Sequence, residues 1–266
     1  MSKLSRALRF VASAPRNPSE FTERVRMKLE TRWQEPAPEP AELQTSSLPE
    51  TLAALELVCG KGLASALEEP SLEQVESAVK RQLKELSLNG PFDRRHNGDR
   101  VLGRICYAIT RWARPTTILE TGVCYGVTTA CILQALQCNQ CGHLHSIDLP
   151  PLGKSADAWV GALVPASLKT RWTLHRGSSR RLMPALLRHI GAIDLFLHDS
   201  LHTYDTMRAE FAVAWPSLRP GGVLISDDIE GNRAFSELVR RRDVSLASIV
   251  RQDQKSSLVG IAVKSR

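Results

Sequence analysis

Short apolar segments alternate with longer segments of helical periodicity in the second half of the chain, and this alternation constrains the fold more than any other feature. Strands are predicted at Thr117–Thr121, His143–Asp148, Trp172–Arg176, Ile193–His198 and 222–226. Strands that alternate with helices form a parallel sheet covered on both faces, which binds ligands over the carboxyl ends of its strands. Only a short polar turn separates the last two apolar segments, 244–250 and 258–263, so we expect them to pair antiparallel at one edge.

The first predicted strand leads through a glycine turn into a helix, over Glu120-Thr121-Gly122-Val123-Cys124-Tyr125-Gly126. Glycine lets the backbone approach a ligand without an intervening Cβ, and the helix that follows offers free N–H groups at its N-terminus. Such a turn alone is a weak signal. It gains weight because polar residues also end the later strands, and together they predict a site for a nucleotide-like ligand.

Asp148 ends the second predicted strand. A carboxylate at this position can accept hydrogen bonds from both hydroxyls of a ribose. The alternative is a strand-end aspartate that caps the turn before Pro150. The upstream glycine turn favours ribose binding.

Three carboxylates, those of Asp199, Asp227 and Asp228, follow two other predicted strands. If these strands are neighbours, the like charges repel unless something neutralises them. A hard divalent cation such as Mg²⁺ prefers carboxylate oxygen and keeps positions open for substrate oxygens. The sequence therefore predicts a metal site formed by Asp199, Asp227 and Asp228.

These segments together resemble the class I S-adenosylmethionine-dependent methyltransferases over roughly residues 91–266, and within them catechol O-methyltransferase and its relatives. The glycine turn resembles that family's first motif, Gly177-Ser178-Ser179-Arg180-Arg181-Leu182-Met183-Pro184 its adenine-flanking segment, and Phe196-Leu197-His198-Asp199 and Leu224-Ile225-Ser226-Asp227-Asp228 its two metal-bearing strand ends. The resemblance implies an α/β, Rossmann-like doubly wound seven-stranded sheet with an antiparallel edge strand and an N-terminal helical extension. The cofactor S-adenosyl-L-methionine is expected to contact Glu120, Gly122, Tyr125, Gly126, Asp148, Ser178, Ser179 and Asp199. Either serine has the alternative of capping the helix that follows.

His202 follows Asp199 by three residues, and Asp199 and His202 are the expected catalytic residues. An imidazole there can act as general base; the alternative is a local hydrogen bond at a helix start. Catechol O-methyltransferases have lysine at the matching position, whereas metal-dependent sugar O-methyltransferases of macrolide biosynthesis resemble this chain in having histidine and Asp-Asp. The expected acceptor is therefore a sugar or polyol hydroxyl of a small molecule or glycan. A metal-independent methyltransferase and a catalytically silent scaffold are the alternatives.

Composition divides the 266 residues into four parts. We expect a basic helical arm (1–34), a Pro-rich linker (35–50), a helical cap (51–90) and the methyltransferase domain (91–266). Two helices are predicted in the cap, at 51–66 and 71–88, the second opened by a Ser71…Gln74 capping box. Leu4, Leu8 and Val11 share one helical face in the arm, which can contact a membrane surface or pack on the domain. Acceptor specificity is expected from residues 51–100 and from residues 150–170.

The net charge of +7 does not indicate a nucleic-acid partner, because the arginines are scattered without interleaved aromatic residues. No apolar stretch reaches the roughly 18 residues of a membrane span, and the six cysteines indicate reduced thiols, so a cytoplasmic location is expected. A homo-oligomer is compatible with the apolar helices before residue 100.

Cys138 and Cys141 with two nearby histidines are a weak zinc signal. Residues 150–169 are either a lid or a short surface helix.

Overall fold

A computed structural model describes residues 17–33, 44–86, 90–92, 98–152, 155–253 and 256–266. It contains a seven-stranded sheet of order β3-β2-β1-β4-β5-β7-β6. The strands are β1 (Thr117–Thr121), β2 (His143–Asp148), β3 (Trp172–Arg176), β4 (Ile193–His198), β5 (Leu218–Ser226), β6 (Val244–Arg251) and β7 (Leu258–Lys264). Strands β1 to β5 pair in parallel, and β7 pairs antiparallel with both β5 and β6. The predicted doubly wound sheet with an antiparallel edge is confirmed.

Helices cover both faces of this sheet. They are α1 (Pro18–Trp33), α2 (Leu48–Cys59), α3 (Leu63–Ala66), α4 (Pro70–Leu86), α5 (Arg100–Ala113), α6 (Val127–Asn139), α7 (Ser179–Ile190), α8 (Tyr204–Ser217) and α9 (Ala234–Val239). One hydrophobic core lies between the sheet and helices α2 to α6, and a second lies between the sheet and helices α7 to α9. The strands β1, β4, β5 and β7 are therefore mostly buried on both faces, whereas β3 and β6 at the edges are partly exposed.

The helices of the expected cap do not form a separate unit. Leu52, Leu63 and Leu72 belong to the same core as the strand residues Ile118 and Leu195. Among the described residues, none of these helices lines the large cavity described below. Of the 51–100 range expected to set acceptor specificity, Pro91 and Phe92 are the described residues that line that cavity.

Two local predictions in this region are wrong. Helix α2 begins at Leu48 and ends at Cys59, and the predicted 51–66 helix is interrupted before α3. The capping box lies at Ser47 and Glu50, whereas Ser71 lies inside α4 and its hydroxyl contacts Tyr107. A Ser-x-x-Glu pattern directly before an apolar run was present at Ser47, but the Pro-rich sequence upstream obscured it.

The segment 150–169, which sequence left open as a lid or a short surface helix, lines the cavity with Pro151, and its larger part belongs to residues 155–171. They form two short 3-10 helices, Ala156–Trp159 and Ala166–Arg171, joined by a segment that packs on the glycine turn. The Gly161 N–H donates to the carbonyl of Cys124 at 3.0 Å, and the Leu163 N–H donates to that of Tyr125 at 2.9 Å. Leu163 is buried in the first core, which holds the segment in place.

The expected membrane-binding face of Leu4, Leu8 and Val11 lies outside the described residues. So does most of the Pro-rich linker. Among the described residues, no helix is long and apolar enough to cross a membrane. The imidazoles considered for zinc contact side chains of β3 instead: His143 Nε2 lies 2.8 Å from Thr173 Oγ1, and His145 Nδ1 lies 3.2 Å from His175 Nε2.

Candidate active site

Gly122 brings the end of β1 against the end of β4. Its φ of +83° is in the left-handed region, and a Cβ at this position would lie 1.8 Å from the carbonyl oxygen of Asp199. The Asp199 N–H donates to the Thr121 carbonyl at 2.8 Å, and the Gly122 N–H donates to the Ile147 carbonyl at 2.9 Å. Only glycine fits this approach, which sets the glycine turn beside Asp199 at the carboxyl edge of the sheet.

Asp148 caps the glycine turn and also faces a cavity. Its Oδ2 atom accepts from the N–H groups of Val123 at 2.7 Å and Cys124 at 3.0 Å. Burial raises the pKa of Asp148 and the charge of Asp199 adds to this, whereas the two N–H donors oppose the rise. The turn that Asp148 caps is thus the glycine turn and not the turn before Pro150 that was the alternative from sequence, and the residue also lines the cavity.

Gly126 and Tyr125 are not among the described residues that line this cavity, so their expected cofactor contact is not supported. A Cβ on Gly126 would lie 2.9 Å from Gly161 Cα, so this glycine makes room for the 155–171 segment. The Tyr125 side chain is fully buried, and its ring packs edge-on against Phe92 at a centroid distance of 5.0 Å. Gly126 and Tyr125 thus pack against neighbouring segments of the chain, at Gly161 and Phe92.

Glu120 also points away from the cavity. Its carboxylate is fully buried and accepts from Ser146 Oγ at 2.6 Å and Thr129 Oγ1 at 3.0 Å. Burial raises the pKa of Glu120 to about 8, although these hydroxyls and their hydrogen bonds lower it. The expected contact with the cofactor is therefore replaced by a polar cluster that joins β1, β2 and α6.

Ser178 and Ser179 do line the cavity, at the start of α7. The Ser178 hydroxyl donates to Glu23 of α1 at 2.7 Å and makes no capping bond to its own helix. The Ser179 hydroxyl contacts the buried carboxylate of Glu210. Neither serine acts as the helix cap that was the alternative role.

The cavity measures about 770 Å³ and runs along the carboxyl edge of the sheet. Among the described residues, its wall combines the glycine turn, the ends of β2, β3 and β4, the start of α8 and one face of α1. Its volume is within the range of about 300–1,000 Å³ that is typical of small-molecule sites. Seven of the expected site residues line it: Gly122, Asp148, Ser178, Ser179, Asp199, His202 and Asp228.

His202 lies between two carboxylates. Its Nδ1 atom is 3.0 Å from Asp228 Oδ2, and its Nε2 atom is 3.7 Å from Asp199 Oδ1. Burial alone would lower the pKa of His202, but the two carboxylates outweigh burial and raise it to about 10. In this arrangement the imidazole is a cation at neutral pH and cannot accept a proton.

The donor set that the structure brings together differs from the expected one. One ligand atom each from Asp199, His202 and Asp227 lies within 4.8 Å of the others, and Asp228 is not part of this group. Asp227 is fully buried and accepts a hydrogen bond from the buried Gln252 amide. Two carboxylates and an imidazole fit a divalent ion, but the nitrogen donor shifts the preference from Mg²⁺ towards Mn²⁺ or a later transition metal.

Glu210 of α8 is a residue of this region that the sequence analysis missed. Its fully buried carboxylate accepts from Thr121 Oγ1 and His198 Nδ1, each at 2.6 Å, and from Ser200 Oγ at 2.7 Å. Burial alone would raise the pKa of Glu210, but the charge and hydrogen bond of His198 outweigh it, so the pKa is lowered. The sequence did carry a signal for Glu210, because this acid lies three residues after Met207 on the apolar face of the predicted helix.

Helix α1 is the second missed contribution. Arg26, Met27 and Thr31 line the cavity, although they belong to the segment expected to be an arm. The only signal in the sequence was that Glu20, Glu23, Met27 and Glu30 share one helical face.

Comparison with known proteins agrees with this geometry. Residues 119–229 match the family model described as "Methyltransferase domain". The O-methyltransferase TomG of Streptomyces achromogenes, which is involved in tomaymycin synthesis and was solved with SAM, is 16% identical, with 82% of this chain and 96% of that chain covered and a TM-score of 0.55. An O-methyltransferase of Bacillus cereus solved with SAH is 16% identical, with 81% and 97% covered and a TM-score of 0.56. Cofactor-bound Rv0187 from MTB is 15% identical, with 83% and 99% covered and a TM-score of 0.55. Among curated protein sequences, none matches the chain.

Proposed function

We propose that this chain is an O-methyltransferase that acts on a sugar or polyol hydroxyl with the help of a divalent metal ion. Its residues 119–229 match the methyltransferase-domain model, and it shares its fold with O-methyltransferases solved with SAM or SAH. The observation that carries the proposal is one continuous cavity with Asp148 and Ser178 towards one end and Asp199, His202 and Asp228 towards the other. The first group suits a nucleoside, and the second suits an oxygen acceptor that must lose a proton.

The residues that would hold the cofactor are those that face the cavity. Asp148 offers carboxylate oxygen to ribose hydroxyls, Ser178 and Ser179 flank the position expected for adenine, and the turn at Gly122 leaves space for the methionine portion. When bound, S-adenosylmethionine supplies an electrophilic methyl group. The protein's task is then to hold the acceptor oxygen in line with that group and to exclude water.

Asp199, His202 and Asp227 would hold the metal ion. A bound divalent ion lowers the pKa of a coordinated hydroxyl and orients it. Gln252 keeps the Asp227 carboxylate in place, and Asp228 holds the His202 imidazole from the opposite side. These two contacts keep the donor atoms oriented, as supporting hydrogen bonds do in other metal sites.

His202 carries the only imidazole among the described residues that line the cavity. While one ring nitrogen holds the metal and the other contacts Asp228, no nitrogen is left to accept a proton, so the general-base role expected of His202 belongs to a metal-free cluster. That role requires the neutral form, which is scarce at pH 7 while the pKa of His202 is about 10. With the metal bound, the lowered pKa of a coordinated hydroxyl would let its proton pass to solvent.

One observation favours a second candidate, a metal-independent methyltransferase. The His202 cation pairs with both Asp199 and Asp228 and offsets one of their two negative charges, so the cluster is partly neutralised without a metal. In that case the cluster would orient an acceptor by hydrogen bonds, and chelators would not change the rate.

The test is transfer of labelled methyl from S-adenosylmethionine to a panel of sugars, polyols, catechols and amines. It is run with Mn²⁺, with Mg²⁺ and with chelator. We expect turnover of a vicinal diol of a sugar with metal, and loss of at least about a hundredfold in Asp199→Asn. Asp205→Asn, which changes an exposed acid in the first turn of α8, is the matched control and should retain wild-type turnover.

Each alternative has a distinct result. Full activity with chelator would replace the metal-assisted proposal with the metal-independent one. Turnover of amines alone would remove the hydroxyl acceptor. Wild-type turnover in His202→Gln would show that this imidazole is neither a required metal ligand nor the general base.

A further inference from the structure

Helix α1 crosses the carboxyl edge of the sheet and is attached to both sides of the cavity. On one side, Glu20 pairs with Arg176 at 2.6 Å and Glu23 accepts from Ser178 at 2.7 Å. On the other side, Glu30 accepts from Thr206 at 2.8 Å and from Thr203 at 3.1 Å. Arg176 and Ser178 follow β3, whereas the two threonines follow β4 at the start of α8. The helix therefore spans the cavity from one rim to the other.

These attachments are shielded from water. The Glu20 and Glu30 side chains are only 10% and 8% exposed, and Glu30 also pairs with Arg180 at 2.9 Å. Charge-assisted hydrogen bonds to partly buried groups contribute more than surface ion pairs, which are weakened by solvent. Arg24 of α1 donates to the carbonyl of Pro150 at 2.7 Å. This hydrogen bond attaches the helix to the segment that follows β2.

Between the attachments, α1 presents Met27 to the cavity, flanked by Arg26. The Arg26 guanidinium is paired with Glu23 at 2.7 Å and Glu30 at 3.0 Å, so its charge is balanced within the helix. Because the charge of Arg26 is already paired, we expect α1 to contact a ligand mainly through Met27, whose thioether is flexible and polarizable.

We propose that α1 is the roof of the cofactor site, in which Met27 contacts bound S-adenosylmethionine or S-adenosylhomocysteine and Glu23 and Glu30 are positioning residues that slow the release of the cofactor. This role rests on the cofactor site of the proposed function. It lies outside the matched methyltransferase domain of residues 119–229 and makes an N-terminal segment part of the ligand site. Both rims are held by carboxylates, so loss of one attachment frees one end of the roof.

A structural role of α1 alone predicts something different. If the helix only covers the sheet edge, removal of an attachment lowers the melting temperature and leaves the dissociation rate of the cofactor unchanged. The roof predicts a faster dissociation rate even where the melting temperature is little affected, as expected for Met27→Ala.

The experiment measures S-adenosylhomocysteine dissociation from the full chain by stopped-flow displacement. We expect Glu30→Ala and Met27→Ala to accelerate release by about tenfold, the effect of losing one charge-assisted bond or one apolar contact. Glu30→Gln retains an acceptor oxygen for Thr203 and Thr206 but loses the ion pairs with Arg180 and Arg26, so it should restore part of the wild-type rate. Arg32→Ala, an exposed position on the same helix, is the control. Hydrogen exchange supplies the second readout, in which the ligand should slow exchange of the peptide 18–33.

The outcomes separate the two proposals. Wild-type dissociation rates in both Glu30→Ala and Met27→Ala, with unchanged exchange in 18–33, would overturn the roof and leave the methyltransferase proposal intact. If wild-type protein does not bind S-adenosylhomocysteine, the cofactor site and the roof both fail. Should Glu30→Ala not fold, Met27→Ala and the exchange measurement decide the question.

Discussion

The Nδ1 atom of His202 lies 3.0 Å from Oδ2 of Asp228, on the opposite side of the imidazole from Asp199. The ring is thus held by two acids, and these acids raise the pKa of His202 to about 10. A metal ion that takes a nitrogen of this ring must first displace a proton, so protons and metal compete for the same cluster.

Metal affinity should therefore rise with pH. While His202 is protonated, each bound ion displaces one proton, and Mn²⁺ affinity should increase about tenfold per pH unit between about pH 6.5 and pH 9. Isothermal titration in buffers of different ionisation enthalpy measures both the affinity and the released proton. His202→Gln should remove the dependence, and a wild-type affinity that does not change with pH would contradict the assignment of His202 as a ligand.

Gly122→Ala should disrupt the site through a steric overlap. Alanine in the left-handed region costs about 1–2 kcal/mol, and overlap with the Asp199 carbonyl should add about 1–3 kcal/mol or more. Gly221→Ala is the matched control, because its φ of +79° is similar and its nearest neighbour, Arg266, would lie at an ordinary 3.7 Å. Urea unfolding of both variants isolates the overlap, which would be refuted by equal losses of stability.

Glu120→Gln should change how stability depends on pH. Burial raises the pKa of Glu120 from 4.5 to about 8, so the folded state holds a proton that the unfolded state has lost between these values. Wild-type stability contributed by this group is present below pH 4.5 and decreases as the pH rises to about 8, whereas glutamine does not titrate. Melting temperatures of the two proteins should diverge from pH 5 to pH 8 in favour of the variant. Cofactor affinity should stay the same, because Glu120 does not line the cavity.

Glu210→Ala should destabilise the whole carboxyl edge of the sheet. Removal of one partner of a buried pair leaves the other without compensation and costs about 3–5 kcal/mol. His198, Thr121 and Ser200 would lose their acceptor. Chemical denaturation measures the loss, and Glu237→Ala, which removes an exposed ion pair with Arg233, should cost under about 1 kcal/mol. Similar losses in both variants would show that the Glu210 network contributes little.

The alternation of strands and helices along the chain could be predicted from sequence because it depends on local patterns. Apolar segments of strand length, helical periodicity and turn residues act over a few positions, and the carboxyl ends of parallel strands then meet at one edge. Asp148, Asp199 and Ser178 were found as cavity residues for this reason. The buried hydrogen bonds of Glu120 were not predicted, because they depend on the neighbours Ser146 and Thr129, which packing brings to its carboxylate.

The sequence by itself thus determined the doubly wound sheet, its antiparallel edge and the set of strand ends that form the site. Only the tertiary structure decided which side chains share that site with them. Glu30 and Thr206 are 176 positions apart along the chain and form a hydrogen bond, and Gln252 reaches Asp227 from the far edge of the sheet. Such contacts arise when packing brings distant segments together, and no local pattern encodes them, because their free energy exists only in the folded chain.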